Sequence, residues 1–404
     1  MNRKNAQTSP PLAGIRVLDL SRILAGPYCT QFLADLGAEV IKVERPGCGD
    51  DTRSWGPPFA GGESAYFLSC NRNKKSIAID LAREKGRELV RRLAQRCDIL
   101  VENFKVGSMQ RWGLDYERLR EHNPRLIYCS ISSYGQNSPD AREPGYDFII
   151  QARGGIMSIT GPEEGPPYKV GVAITDITAG LYAAGSILAA LHHRERTGVG
   201  QVIDISLLDA QVSWLANVGM NYLVSGQIPR RYGNAHPNIV PYEVFPTADG
   251  YLAVAAANDA QFRRLCEVLR LDGLADRPEF ATNAVRVQNR DRLIPVLQKA
   301  FSQKSSREWH QLLKKANIAS SPIQNVKEVF EDPVVQARGM KTQVDHPTAG
   351  ILNLIGPVPK FSHSPTASPA PPPLLGQHTD EVLQRLLQLD ALAIQELREQ
   401  KIVE

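Results

Sequence analysis

Ile15-Arg-Val-Leu-Asp-Leu20, Gly26-Pro-Tyr-Cys-Thr-Gln-Phe-Leu-Ala-Asp-Leu-Gly37 and Val40-Ile-Lys-Val43 are the residues on which the fold turns. A short β-branched run, an amphipathic segment opened by Gly26-Pro27 and closed by Gly37, and a second β-branched run read as strand, helix, strand. Parallel strands need such a crossover, so the stretch is a βαβ unit. The alternation continues outward. A helix is predicted over 84–95 with Leu89, Val90 and Leu93 on one face, a strand at 99–101, a helix near 116–121 and a strand at 126–131. In a parallel sheet, ligands bind beyond the carboxyl ends of the strands. That rule gathers residues 21–27, 44–51, 102–107 and 132–136 around one crevice.

Farther along, Thr175-Asp176 introduces an apolar helix expected at 177–191, with Asp176 suited to cap it. A strand at 202–207 and a helix at 208–224 follow. The Pro- and Gly-rich stretch 227–246 reads as a connector. Beyond it a strand at 251–256 and helices at 261–269, 286–300 and 306–316 indicate a smaller α+β region, then turn-rich sequence through Pro357. Five prolines between 365 and 373 force an extended segment.

The 404 residues carry Lys+Arg 47 against Asp+Glu 43, with 42% hydrophobic residues, the balance of a globular chain of about two domains. The charges are interspersed, so neither a nucleic-acid stripe nor a polybasic membrane patch is expected, while an anionic small molecule fits. Six scattered cysteines without C-x-x-C pairs predict reduced thiols and a cytoplasmic setting, or the mitochondrial matrix for a eukaryotic source. Met1 to Pro10 lack an apolar core and read as a short unstructured lead rather than a secretory signal. No charge-free run of membrane-spanning length occurs, the best stretch ending at His192-His193-Arg194, so a soluble chain is expected.

Absent motifs narrow the chemistry. Leu24-Ala-Gly-Pro-Tyr-Cys-Thr follows the first strand with a single glycine, so the dinucleotide fingerprint fails, and no P-loop, H-E-x-x-H or G-x-S-x-G occurs. The eight histidines offer no i, i+4 pair, and no metal is expected.

Several blocks in order are nevertheless distinctive: Ile15-Arg-Val-Leu-Asp-Leu, Leu24-Ala-Gly-Pro, Leu36-Gly-Ala-Glu-Val-Ile-Lys-Val-Glu-Arg-Pro-Gly, Asn71-Arg-Asn-Lys-Lys-Ser, Val101-Glu-Asn-Phe and Gly171-Val-Ala-Ile-Thr-Asp. Together they resemble the class III CoA-transferase family from Pro11 to Leu374-Leu-Gly-Gln-His-Thr-Asp. Asp50-Asp-Thr-Arg-Ser-Trp-Gly-Pro-Pro-Phe59, Asn234-Ala-His-Pro-Asn-Ile-Val-Pro-Tyr242 and Pro371-Pro-Pro-Leu-Leu-Gly-Gln-His378 resemble the members that use succinyl-CoA and glutarate. The expected architecture is α/β: a Rossmann-like large domain over 1–225, a small α+β domain over 226–329, and a segment 330–404 that rejoins the large domain. The resemblance also implies an interlocked homodimer.

What it implies chemically is transfer of CoA to a dicarboxylic acid through an aspartyl anhydride and an aspartyl-CoA thioester, with coenzyme A thioester as substrate and no permanent cofactor. Asp176 matches the nucleophile. Arg45 and Arg111 match CoA contacts, with Ile79, Asp80, Leu81, Ala82, Asn103, Phe104 and Lys105 along the nucleotide and pantetheine. Arginine pairs bidentately with phosphate, which suits both assignments. Leu24 and Ala25 match the thioester pocket, where formyl-CoA transferase has Gln in place of Leu24, a departure that disfavours a formyl substrate. Tyr146 and Asp147 match another site segment; related racemases place a histidine base where Tyr146 stands, and a phenol of reference pKa ~10 is a poor α-proton base. Arg53 and His236 are candidates for the distal carboxylate of a dicarboxylate, the latter in a loop that is less glycine-rich than the family's mobile cover. Asn71 to Lys75 either adds to the positive rim of the CoA site or, as charge runs usually do, forms a solvated loop. The rival readings are a transferase for another acid, an epimerase on the same fold, and a CoA-binding chain without turnover.

Overall fold

A computed structural model describes residues 9–404, so the unstructured lead expected for Met1–Pro10 falls almost wholly outside the described residues. The chain divides into two compact units.

The first unit comprises residues up to 154, 170–214 and 333–404. Its core is a six-stranded sheet of β1 (Arg16–Asp19), β2 (Glu39–Glu44), β3 (Lys74–Ala78), β4 (Ile99–Glu102), β5 (Ile127–Ser132) and β6 (Val202–Ser206), in the order β3-β2-β1-β4-β5-β6. Every neighbouring pair is parallel. The chain winds outward from β1 to β3, then jumps back to β4 and winds the other way. The reversal between β1 and β4 is the topological switch point where such sheets hold ligands.

Helices cover both faces, as the apolar runs of a parallel sheet require. On one face α1 (Ala25–Asp35) packs against a long later helix, with Cys29, Leu33, Ala183 and Ile187 fully buried among sheet residues such as Val17 and Ile127. On the other face lie α2 (Glu84–Ala94) and the helices Thr379–Leu387 and Ala391–Glu399, whose Val382, Leu383 and Ile394 join Leu89, Val90 and Leu93. Each fully buried aliphatic chain contributes about 1.5–3 kcal/mol relative to exposure. Residues 333–404 belong to the same unit as the sheet.

Four further helices shape the site: α3 (Ser108–Trp112), α4 (Asp147–Arg153), α5 (Ile174–Thr197) and α6 (Leu207–Ser213). α5 is long and apolar enough by composition to cross a membrane, but one face of it is packed in the core. Its closeness to α1 depends on Gly180, where a Cβ would stand 2.6 Å from the Ala25 carbonyl oxygen. The helix starts at Ile174, three residues earlier than expected, which places Asp176 inside its first turn and leaves Ala173 at the cap. The helix expected over 208–224 breaks near Trp214, giving α6 and then α7 (Ala216–Ser225).

The second unit comprises 155–169 and 215–332, so the boundaries at 225 and 329 move to 214 and 332. The turn 155–169 belongs here because Arg231 donates to the Pro162 and Gly165 carbonyls, Arg230 pairs with Glu163, and the Gly233 N–H reaches the Gly161 carbonyl at 3.1 Å. No local pattern announces such a tie. A three-stranded antiparallel sheet of β7 (Tyr242–Pro246), β8 (Tyr251–Ala255) and β9 (Ala319–Pro322), with β8 central, backs a core around Phe245, Phe262, Leu297 and Phe301. The helix expected over 286–300 is two, Asn283–Gln288 and Arg290–Phe301. In the first unit, residues expected to be turn-rich before Pro357 form a hairpin of β10 (Lys341–His346) and β11 (Gly350–Ile355).

Candidate active site

The loop after β1 is gripped from below by buried charges. Asp19, the last residue of β1, is fully buried and accepts the Ser21 N–H at 3.0 Å, the Thr30 hydroxyl at 2.6 Å and the Lys74 ammonium at 3.2 Å. Lys74 also donates to the Pro27 carbonyl and the Asn71 side chain, both at 2.9 Å. Lys42, equally buried in β2, donates to the Ser21 carbonyl at 2.8 Å and pairs with Asp50 at 2.9 Å, and Asp50 takes the Ile23 N–H at 3.2 Å. Burial alone would raise the Asp19 and Asp50 carboxyls, but the ammonium groups outweigh it, holding Asp19 below its ordinary value and Asp50 down at about 2. Gly26 completes the turn, since a Cβ there would stand 2.2 Å from the Ser21 side chain.

Held at Ser21, Ile23 and Pro27, the loop adopts a geometry that it would not choose alone. Ile23 sits at φ 69, in the left-handed region that β-branched residues avoid. Strain of this kind persists only where the surroundings impose it, and here it presents Leu24 and Ala25 at the head of α1. Asn71 to Lys75 is therefore not a solvated loop. Asn71, Arg72 and Lys74 are buried, Arg72 is paired with Asp35, and Lys74 and Lys75 open strand β3.

The start of α5 carries the reactive candidate. The first backbone N–H groups of a helix need acceptors, and Ala173 at the cap supplies none. Asp147, buried at the head of α4, supplies them from a distance: one carboxylate oxygen accepts the N–H of Thr175 at 2.7 Å and of Asp176 at 3.3 Å, while the other accepts Gln151 Nε2 at 2.6 Å. The Thr175 hydroxyl is fixed by Gln211 at 2.7 Å. Asp176 itself is half-buried, and among the described residues no group donates a hydrogen bond to its carboxylate. Burial first, and the charge of Asp147 second, push the Asp176 carboxyl up to about 7. The Tyr66 phenol, raised by its own burial, feels the Asp176 charge most among the groups around it. A carboxylate with free lone pairs and raised basicity is a nucleophile in waiting rather than a structural anchor.

Two adjoining cavities open at the switch point. One of about 260 Å³ is lined by Leu24, Ala25, Asn103, Lys105, Tyr146 and Asp176, among others. The second, about 350 Å³, is lined by Arg45, Ile79, Asp80, Leu81, Ala82 and the buried Lys42. Arg22 and Phe104 belong to both walls. Arg22 and Asn103 exchange reciprocal hydrogen bonds at 2.8 and 2.7 Å, which lock the β1 loop to the β4 loop. Below that contact Glu102, buried, accepts the Phe104 N–H at 2.8 Å and is bonded to Ser130, which in turn takes Gln136 Nε2 at 2.7 Å. Burial raises the Glu102 carboxyl to about 7.

Most residues singled out in the sequence thus meet at these two cavities. Asp147 lies behind the wall and acts through Thr175 and Asp176. Arg111 lines neither; it donates to Ser108 at 3.1 Å and faces a separate depression with Arg91 and Arg118. Arg53 is corrected to a structural role: its buried guanidinium donates four hydrogen bonds to Glu44, Glu63 and the Pro373 carbonyl, lies 3.7 Å from the Phe67 ring centre, and lines neither cavity. His236 belongs to the second unit, where Nδ1 accepts the Asn238 N–H at 3.0 Å and the ring leans on Tyr242. Arg22, Lys42, Tyr66 and Glu102 escaped the sequence reading, although the strand-end rule had marked the loop that holds Arg22 and the one that Glu102 opens.

The parallel sheet thus carries an acidic nucleophile candidate at its switch point, and among the described residues no group of His, Cys, Asp and Glu is arranged to hold a metal ion. The chain belongs to CoA-transferase family III, whose model matches residues 12–379. It is 46% identical to the succinyl-CoA:glutarate CoA-transferase of Homo sapiens, over 98% of this chain and 90% of that protein. The same identity holds with the succinate–glutarate CoA-transferase of Agrobacterium fabrum (strain C58 / ATCC 33970), over 95% of this chain and 98% of that one. A solved CaiB/BaiF family protein from Brucella suis superposes with a TM-score of 0.83 at 46% identity, covering 94% of this chain and 100% of the other. The chain is an enzyme of the CoA-transferase class with the α/β fold of that family.

Proposed function

We propose that this enzyme moves CoA from succinyl-CoA to a dicarboxylic acid, with glutarate as the acceptor, through covalent intermediates on Asp176. The observation that carries the reading is the Asp176 carboxylate, free of donors and raised to about 7, in the wall of the cavity that Leu24 and Ala25 also line. The relatives that use succinyl-CoA and glutarate supply the substrate class.

The Asp176 carboxylate attacks the succinyl thioester carbonyl, giving an aspartyl–succinyl anhydride and CoA thiolate. The thiolate attacks the aspartyl carbonyl, and succinate leaves with the former bridging oxygen. Glutarate then attacks the aspartyl-CoA thioester, releasing the thiolate and forming an aspartyl–glutaryl anhydride. The thiolate takes the glutaryl group and restores the carboxylate. Each step exchanges one acyl acceptor for another, so no external base is consumed. The positive end of the α5 dipole favours the negative charge that develops on the aspartyl oxygens. In this reading the CoA nucleotide runs along Arg45 and Ile79–Ala82, which line one cavity, and Asn103–Lys105, which line the adjoining one, lie between nucleotide and thioester.

Epimerase chemistry fits less well, because the corresponding base position is Tyr146, 64% exposed and a phenol. The test is CoA exchange from succinyl-CoA to a panel of acids, followed by mass spectrometry with Asp176→Ala beside the wild type. Glutaryl-CoA is expected from the wild type, with a loss of at least about 1,000-fold in the variant. Undiminished product from the variant overturns the aspartyl mechanism. No exchange with any acid overturns the transferase reading, and deuterium exchange at the α-carbon without an acceptor would establish the epimerase instead.

A further inference from the structure

A dicarboxylate brings a second negative charge into a cavity that is already acidic. Asp176, Asp51 and Glu143 all line it, and burying one more carboxylate among them is costly unless a cation meets it. Arg53 is spent on Glu44 and Glu63. The cationic side chains on this wall are Arg22 and Lys105.

The two differ in how they are held. Lys105 is exposed and reaches the wall from a loop without a fixed partner for its ammonium among the described residues. Arg22 is built in. Its backbone is clamped by Asn103 on both sides of the peptide unit, its Nη1 is steered by Asp51 at 2.8 Å, and its guanidinium lies 5.6 Å from the Phe104 ring centre. Asp51 occupies Nη1, and among the described residues no acceptor takes Nε or Nη2, which form an open edge of the planar fork. Such an edge binds a carboxylate through two parallel N–H bonds, a geometry that an ammonium cannot offer. Arg22 also directly precedes Ile23-Leu24-Ala25, the strained turn that lines the cavity with Asp176.

We propose that Arg22 binds the far carboxylate of the acyl group and so selects dicarboxylates over monocarboxylates; this rests on the reading that acyl transfer occurs at Asp176. A site built around a polar partner rejects an analogue that lacks it far more strongly than an apolar pocket rejects a missing methylene, because the built-in cation is left unpaired.

The test compares wild type, Arg22→Gln and Arg22→Lys in isotope exchange of succinyl-CoA with labelled succinate and of butyryl-CoA with labelled butyrate, with CoA affinity measured by calorimetry. Arg22→Gln is expected to cut succinate exchange about 100-fold or more, leave CoA affinity within about twofold, and shift the succinate-to-butyrate ratio toward butyrate; Arg22→Lys should recover part of the loss. Succinate exchange that is unchanged in Arg22→Gln overturns the proposal, as does a fall matched by CoA affinity or by butyrate exchange, since Arg22 would then serve the nucleotide or the loop. Wild-type enzyme that exchanges neither acid overturns the transferase reading itself. The Arg22–Asp51 pair is exposed on both sides, so its loss should leave folding intact.

Discussion

Asp176 carries a charge that its surroundings resist. Burial and the neighbouring Asp147 both favour the protonated acid, yet attack on a thioester needs the carboxylate, so the enzyme works across the titration of its own nucleophile. Because the carboxyl is raised to about 7, the active fraction falls as pH drops below that value and saturates above it. The rate of the first half-reaction should therefore climb through about pH 7 and level off near pH 8. Asp147→Asn removes the charge while keeping an amide oxygen for the Thr175 and Asp176 N–H groups. Its profile should shift to lower pH, with a plateau no higher than that of the wild type, because a less basic carboxylate is a weaker nucleophile. Single-turnover rates measured from pH 5 to 9 check this, and an unshifted Asp147→Asn profile would remove Asp147 as the cause. The sequence alone offered Asp176 and Asp147 as separate positions. Their coupling across 29 residues is a matter of packing, which local spacing does not encode.

The βαβ unit was legible because each of its parts satisfies a local rule: β-branched runs for the strands, and between them a helix-length segment opened by Gly26-Pro27 and closed by Gly37. Strand β3 was hidden by its own first two residues. Lys74 and Lys75 are exposed by every compositional expectation, and only the presence of Asp19, 55 positions earlier, makes it favourable to bury Lys74. The β10–β11 hairpin escaped for the opposite reason. Of β10 only Val344 and His346 are buried, so its alternation is almost wholly polar. At this scale the buried Asp19–Lys74 pair has a measurable consequence. Lys74→Met leaves Asp19 charged and unpaired beneath the β1 loop, and should cost about 3–5 kcal/mol in denaturant unfolding. Adding Asp19→Asn should recover a large part of that loss, because the stranded charge is gone. Recovery of stability without recovery of turnover would then report the disordering of Ser21–Pro27, which both side chains hold.

Across the whole molecule, apolar side chains are exposed in more than one place. In the first unit Phe148, Ile149, Leu181, Tyr182, Val212 and Trp214 are at least two-fifths exposed, and in the second Met220, Leu223, Val224 and Ile228 are more so. Isolated surface leucines need no explanation, but runs of them on consecutive helices mark surfaces that another chain covers. We propose that these are the faces covered in the interlocked homodimer that the family resemblance implies. Such a dimer cannot come apart by simple dissociation, since each chain would have to unthread from the other, and its folding is coupled to association. Sedimentation at falling concentration should accordingly give twice the 44.6 kDa chain mass down to the nanomolar range, with subunit exchange between labelled and unlabelled enzyme only after unfolding. A dimer held by surface contact alone would exchange subunits within hours under native conditions, and a monomer at any concentration would leave those apolar helix faces without the partner that their exposure calls for.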